Sequence, residues 1–245
     1  MLFVGTKGGN MIGLIGHTGV IGKHILTQNR VDRMYNSTNI DQIAGCSVDT
    51  LYCAAPSGNR LLANNNPNQD LESVKSLITA LRKVDVNNFV LISTVDTVHA
   101  RHTAYGRHRK LLEEFVQTTF KKHCIARLPT LISAGIRKNV LYDLKHNQYT
   151  DSINLGMQCH WYPLVRLRSD INVMIDNNIT EENFISEPIA NRDIVQTFFP
   201  KLLDQITATP TTTGSYNLTC NNTAVFGKYI VGRQEVFDAF TEYLT

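Results

Sequence analysis

Tyr105 and Arg109 stand four residues apart in a stretch with helical spacing, so both project from one helix face. A permanent cation beside a phenol can lower its pKa toward the phenolate and can hold a ribose hydroxyl. Just upstream, Ser93-Thr94-Val95-Asp96 follows an apolar run, and a hydroxyl there can orient a substrate carbonyl or alcohol. A third set is Gly16-His17-Thr18-Gly19-Val20-Ile21-Gly22, a G-x-x-G-x-x-G turn. One glycine turns the chain sharply out of a strand. Another lets backbone N–H groups approach a pyrophosphate, and the third lets the following helix pack close to the strand. The helix N-terminus then offers unpaired N–H groups and partial positive charge to phosphates. Gly13 also fits a spacing of three, but it falls inside the apolar run, so the turn is read at Gly16, Gly19 and Gly22. Singly, each set has a plainer reading: a bare turn, a helix cap, a surface pair. Together, downstream of a phosphate-binding turn, they favour a ligand site.

The elements that must position these residues follow from periodicity. Strands are expected at 11–16, 33–37, 48–55, 89–92 and 124–128, and helices at 20–29, 70–83 and 105–119. Leu71, Val74, Leu77, Ile78 and Leu81 mark one buried helix face. Phe89-Val90-Leu91-Ile92 is the near-continuous apolar run of a strand covered on both faces. Alternation of this kind predicts an α/β fold with a doubly wound parallel sheet, whose ligands bind at the carboxyl ends of the strands. Beyond Pro129 the pattern loosens: short helices at 136–150 and 163–176, a strand at 184–186, a helix at 191–203 capped by Asn191, a loop at 207–214 and a closing helix at 234–244. The Asn64-Asn65-Asn66-Pro67-Asn68 run reads as a loop, with solvation and ligand contact both open. The expected organisation is an extension at 1–10, disordered ahead of Met11, a dinucleotide-binding core at 11–130, and a reduced substrate lobe at 131–245 forming one compact unit with the core.

Composition narrows the function classes. The chain has 245 residues, 42% hydrophobic and 18% charged, with a formal net charge of +3. That charge is too weak to point to nucleic acid or a membrane surface, and no apolar run is long enough to span a bilayer. Residues 1–10 are too short in apolar content for a secretory signal. The five cysteines are scattered and odd in number, which predicts free thiols and a cytoplasmic location. His123-Cys124 and Cys159-His160 have no partner pair at metal-ligand spacing, so no metal site is expected. The cluster Arg101, His102, Arg107, His108, Arg109 and Lys110 lacks interleaved aromatics and reads as a solvated helix face.

With these motifs the chain resembles the short-chain dehydrogenase/reductase superfamily, in its extended, NAD-dependent epimerase/dehydratase branch. The glycine turn is similar to T-G-x-x-G-x-x-G, with Ile15 in place of the Thr. Ser93-Thr94-Val95-Asp96 is similar to the branch's S-T-D-E strand end. Tyr105-Gly106-x-x-Arg109 with Glu113 is similar to Y-G-x-x-K-x-x-x-E, and Arg127-Leu128-Pro129 to an R-x-P stretch beside the nicotinamide. The resemblance implies Thr94, Tyr105 and Arg109 as catalytic residues. It implies cofactor contacts from Gly16, Thr18, Gly19, Val20, Ile21, Gly22, Asn36, Ser37, Ala54, Ala55, Pro56, Ser93, Tyr105, Arg109 and Pro129. Three departures stand out. Arg109 replaces the family lysine, Val95 replaces an acid of the dehydratase Asp-Glu pair, and the region after residue 130 is short.

The cofactor implied is NAD or NADP. The end of the second strand, Tyr35-Asn36-Ser37-Thr38-Asn39, carries no carboxylate to select NAD, and Arg33 is a candidate partner for a 2′-phosphate. Asp96, Asn139 and Trp161 are the candidate substrate contacts. Arg137, Lys138, Tyr142 and Arg166 nearby would suit a nucleotide-sugar diphosphate, or equally form a solvated basic face around a packing Trp. The reading is an NAD(P)-dependent oxidoreductase or epimerase acting on a nucleotide sugar or a related alcohol or carbonyl. The alternative is a non-catalytic NAD(P)-binding sensor or regulator. A homodimer is expected through the helices at 70–83 and 105–119, with Leu112 and Phe115 among the contacts.

Overall fold

The computed structural model describes residues 11–207 and 214–245; the expected extension at 1–10 and most of the loop at 207–214 lie outside the described residues. In chain order the elements are β1 (Ile12–Ile15), α1 (Val20–Gln28), β2 (Arg33–Tyr35), β3 (Ser47–Cys53), α2 (Arg60–Asn65), α3 (Pro67–Leu81), β4 (Asp85–Thr94), α4 (Asp96–His99), α5 (Ala104–Thr119) and β5 (His123–Leu128). There follow β6 (Thr130–Ile132), α6 (Val140–Lys145), β7 (Gln158–Cys159), β8 (Trp161–Pro163), α7 (Leu167–Asp176), β9 (Glu181–Asn183), β10 (Ile189–Ala190), α8 (Asn191–Phe198), α9 (Thr223–Phe226) and α10 (Arg233–Leu244). They fall into two compact units. The first runs to Ala126 and takes in Arg168–Glu181; the second is Arg127–Leu167 with Glu182–Thr245.

The main sheet has the order β2-β1-β3-β4-β5-β9. β1 pairs in parallel with β2 on one side (Ile15 opposite Tyr35) and with β3 on the other (Ile15 opposite Cys53). β3 pairs in parallel with β4, Cys53 opposite Leu91. This is a doubly wound, Rossmann-type sheet. Its strand order reverses around β1, which opens a crevice at the carboxyl ends of β1 and β3. The core is apolar because each strand and each helix face contributes in phase: Ile15, Leu51, Leu91 and Ile125 from strands, Val74, Leu77 and Leu81 from α3, Leu112 and Val116 from α5. Phe89 stacks on Phe120 with centroids 4.1 Å apart.

Several boundaries differ from the sequence reading for local reasons. β4 begins at Asp85, because Val86 pairs opposite Val48 although Asn87 and Asn88 weaken the strand pattern. The asparagine run is no loop: α2 ends at its cap Asn66, and Pro67 opens α3 at the first helical position. The helix read at 191–203 stops at Phe198 before Pro200, and its cap is Ala190; the Asn191 side chain instead donates to the Asn154 carbonyl at 2.9 Å. The strand read at 184–186 is β9 at Glu181–Asn183, with only an isolated bridge at Ser186. None of the five cysteines forms a disulfide, and burial pushes the Cys53 thiol up to about 12 and the Cys124 thiol to about 11. Among the described residues no helix is long and apolar enough to cross a membrane.

Candidate active site

The glycine turn joins β1 to α1, and its three glycines have different reasons to be glycine. Gly16 has φ +87°, and a Cβ there would sit 2.6 Å from the Ala54 carbonyl oxygen at the end of β3. A Cβ on Gly22 would lie 2.0 Å from the Gly16 oxygen, so the helix can seat on the turn only without one. A Cβ on Gly19 would meet only the Gly16 oxygen at 3.5 Å, an ordinary contact. Nothing inside the fold requires glycine at position 19. Thr18 and Gly19 are exposed, no side chain caps α1, and its first turn holds no acid. The open space above Gly19 is therefore a cradle that fits a phosphate, and a larger side chain would fill it. At the end of β2, Asn36 is turned inward on its own loop, its Oδ1 accepting from the Thr38 N–H at 2.8 Å and the Thr38 hydroxyl at 2.6 Å. Ser37 beside it is exposed.

Ile21 from the first turn of α1, Ala54-Ala55-Pro56 after β3, Ser93 and Thr94 at the end of β4, and Tyr105 and Arg109 from α5 line a single pocket. The two hydroxyls of β4 are sorted by their partners. Ser93 donates to Glu113 at 2.6 Å, and Glu113 is fully buried, also accepting from Thr97 at 2.9 Å and pairing with Lys110 at 3.3 Å. Thr94 Oγ1 instead accepts from the Asp96 backbone N–H at 3.2 Å, which leaves its own proton to donate. Asp96, expected on the substrate, is 5% exposed and held by Arg60 at 3.0 Å and His99 at 2.9 Å. It serves as a local ion-pair centre.

α5 carries the acid/base candidate. Thr103 caps it, accepting from the Gly106 N–H at 3.1 Å, and Asn64 Oδ1 accepts from the Tyr105 N–H at 3.0 Å. Gly106 lets the turn after α4 lie against the helix, since a Cβ there would be 2.4 Å from the Ala100 oxygen. Tyr105 is buried, with the Arg109 guanidinium over its ring at 4.5 Å. Burial raises the phenol above its ordinary range, and Asp96 pushes the same way. Arg109 and a Thr94 hydrogen bond pull down but do not win. This corrects the expectation that Arg109 tips Tyr105 toward phenolate. The reason is burial, which outweighs the pull of Arg109. The guanidinium is itself paired: Nη1 donates to Asp70 Oδ2 at 3.1 Å, and Nη2 donates to Asp70 Oδ1 at 2.9 Å and to the Ser57 carbonyl at 2.8 Å. His108 Nδ1 donates to the same carboxylate at 2.8 Å. Burial alone would raise the Asp70 carboxyl, but the bonds and charges of Arg109 and His108 outweigh it and hold it below the usual range.

The remaining expected site residues lie in the second unit. Asn139 caps α6 through Oδ1, accepting from the Tyr142 N–H at 2.9 Å, while Nδ2 donates to the Leu131 carbonyl at 3.1 Å. Both ends of the side chain are structural. Trp161 is 0% exposed and packs edge-on to Phe240 with centroids 4.9 Å apart, so it is core and presents no face to a ligand. Arg166 pairs with Glu235 at 2.8 Å. Pro129 is half-buried between β5 and β6.

Asp70 is the site residue the sequence reading missed. Its signal is its phase: Asp70, Val74, Leu77 and Leu81 share one face of α3, and a charge on a core-facing position requires a partner.

No family model matches the sequence, and no curated protein matches it. Solved structures do. TunA, described as an NAD-dependent NDP-hexosamine 5,6-dehydratase of tunicamycin biosynthesis, aligns with TM-score 0.71 and 13% identity over 96% of this chain and 97% of that one. DesIV of Streptomyces venezuelae, a dTDP-glucose 4,6-dehydratase with NAD bound, aligns with TM-score 0.72 and 11% identity over 95% and 96%. RMD of Pseudomonas aeruginosa, in complex with NADPH, gives 0.69 and 13% over 96% and 99%. The likeness is one of fold, and it extends over nearly the full length of each pair.

Proposed function

We propose that the protein is an NAD(P)-dependent enzyme of the short-chain dehydrogenase/reductase type that acts on a nucleotide-activated sugar or a related alcohol or carbonyl, with Tyr105 as general acid/base. The observation that carries this reading is one pocket lined by Ile21 of α1, the segment after β3, Thr94, Tyr105 and Arg109. The motif resemblance and the fold shared with nucleotide-sugar enzymes support it. Gly16, Thr18, Gly19, Val20, Ile21 and Gly22 would hold the pyrophosphate of NAD or NADP, Ser37 and Asn36 the adenosine ribose, and Ala54, Ala55, Pro56 and Ser93 the pocket wall. When bound, the nicotinamide supplies a hydride donor or acceptor.

The chain's own residues handle the proton. Tyr105 holds its hydroxyl proton at neutral pH, because burial disfavours the phenolate. It can therefore donate to a substrate oxygen within reach and take the proton back in the reverse direction. Thr94, whose oxygen accepts from the Asp96 N–H and whose hydroxyl bonds the Tyr105 phenol, would hold the reacting oxygen beside Tyr105. Arg109 is the fixed floor of this arrangement. Its engagement by Asp70, at a position where the family motif carries a lysine, favours one second reading: an NAD(P)-binding sensor or regulator that does not turn over.

Turnover separates the two. The protein is loaded with NAD(P) and offered a panel of nucleoside-diphosphate sugars, with nicotinamide absorbance and sugar NMR followed together. The enzyme reading predicts conversion of at least one sugar. Tight cofactor binding with every sugar unchanged would favour the regulator.

A further inference from the structure

We infer that Asp70 is a positioning residue for the Tyr105 site: its carboxylate grips the Arg109 fork and offsets its charge, so that Arg109 stands against the Tyr105 ring as a fixed, paired group. The inference deepens the reading of Tyr105 as acid/base and rests on it. The geometry is that of a clamp. Both terminal nitrogens of Arg109 reach the two Asp70 oxygens, at 3.1 and 2.9 Å, and the Ser57 carbonyl takes a further bond at 2.8 Å. Three segments are thereby tied together: α3, α5 and the loop after β3. Arg109 is 5% exposed, so the pairing is formed away from bulk water, where a carboxylate and a guanidinium interact strongly.

The consequence is electrostatic. An unpaired guanidinium 4.5 Å from the ring centre would draw the phenol toward ionisation. Paired with a carboxylate, it acts on Tyr105 as a dipole, and its pull falls. The charged and titratable groups around the pair fit this account. His108 of α5 bonds Asp70, while Asp96 of α4 faces Tyr105 and is itself held by Arg60 of α2 and by His99. A lysine at position 109 could satisfy neither the two-point contact with Asp70 nor the Ser57 carbonyl at once. Asp70 and Arg109 are a matched pair.

The test is a pH titration of the Tyr105 hydroxyl by NMR, with tyrosine labelled at Cζ and Tyr105→Phe used to assign the signal. In Asp70→Asn the carboxylate charge is gone and the Tyr105 hydroxyl should become about tenfold more acidic or beyond. Asp70→Glu, which keeps the charge, should return the midpoint toward that of the parent. An unchanged midpoint in folded Asp70→Asn would overturn the inference. Should that variant not fold, the parent protein carries the test. Held at two points, the Nη1 and Nη2 groups of Arg109 should give separate nitrogen resonances, and a single averaged signal would overturn it. Neither readout requires turnover. Loss of nucleotide-sugar chemistry with the titration shift intact would strike the functional reading alone, and the reverse result would strike Asp70 alone.

Discussion

Tyr105→Phe removes one oxygen and nothing else from the pocket. If Tyr105 moves the proton, turnover should fall by about 10²–10⁴-fold while cofactor affinity stays within roughly twofold of the parent. Steady-state rates beside a binding titration would check both halves. The clamp beside it makes a second prediction. The Asp70 carboxyl is held below its unfolded value, so its contribution to stability is complete above that unfolded value and is lost as pH falls through the folded one. Chemical denaturation between neutral pH and pH ~3 should show this loss, and Arg109→Lys should flatten it while lowering stability by roughly 1–3 kcal/mol, since the second bond to Asp70 and the bond to Ser57 are not replaced. The types and spacing of Thr94, Tyr105 and Arg109 were legible in the sequence because they share a strand end and a helix face. The Asp70 contact was not, because nothing local links α3 to α5. Only the presence of an acid in phase with Val74 and Leu77 signalled it. Trp161 and Asn139 misled for a related reason: residue type suggests a ligand contact, whereas burial against Phe240 and a helix cap are decided by tertiary packing.

At the scale of elements, the glycine turn separates what the fold needs from what a ligand needs. Gly22→Ala puts a methyl 2.0 Å from the Gly16 oxygen and must push α1 off β1. Its thermal unfolding midpoint should drop markedly, with a destabilisation of about 2 kcal/mol or more, as for overpacking in a close-packed core. Gly19→Ala has room, so its midpoint should stay near the parent's. Thermal scans of the pair decide whether the two glycines divide as described; equal losses would contradict it. The pattern of β1, β3, β4 and β5 was readable because each holds an apolar run punctuated by glycine, proline or polar turns, whereas β2 is only Arg33-Met34-Tyr35 with a single buried residue. Beyond Pro129 the strands are two or three residues long, such as β7 and β10, too short for any periodicity to show.

At the scale of the whole molecule, the chain folds as two units, and α7 returns to the first, a crossing that no local pattern announces. Leu112, expected at a subunit contact, is 1% exposed and belongs to the core of the first unit. Leu112→Ala should therefore cost about 2–5 kcal/mol of stability and leave the mass seen by light scattering unchanged; a change of mass without loss of stability would return Leu112 to an interface. The proposed chemistry requires a dinucleotide lying over the glycine turn between β1 and α1. Calorimetric titration of NAD(H) and NADP(H) into the parent and into Gly19→Val measures this directly. Saturable binding of at least one of them to the parent, abolished in a folded Gly19→Val, is the predicted result. Equal affinity in the two proteins, or no binding of any form to the parent, would contradict it.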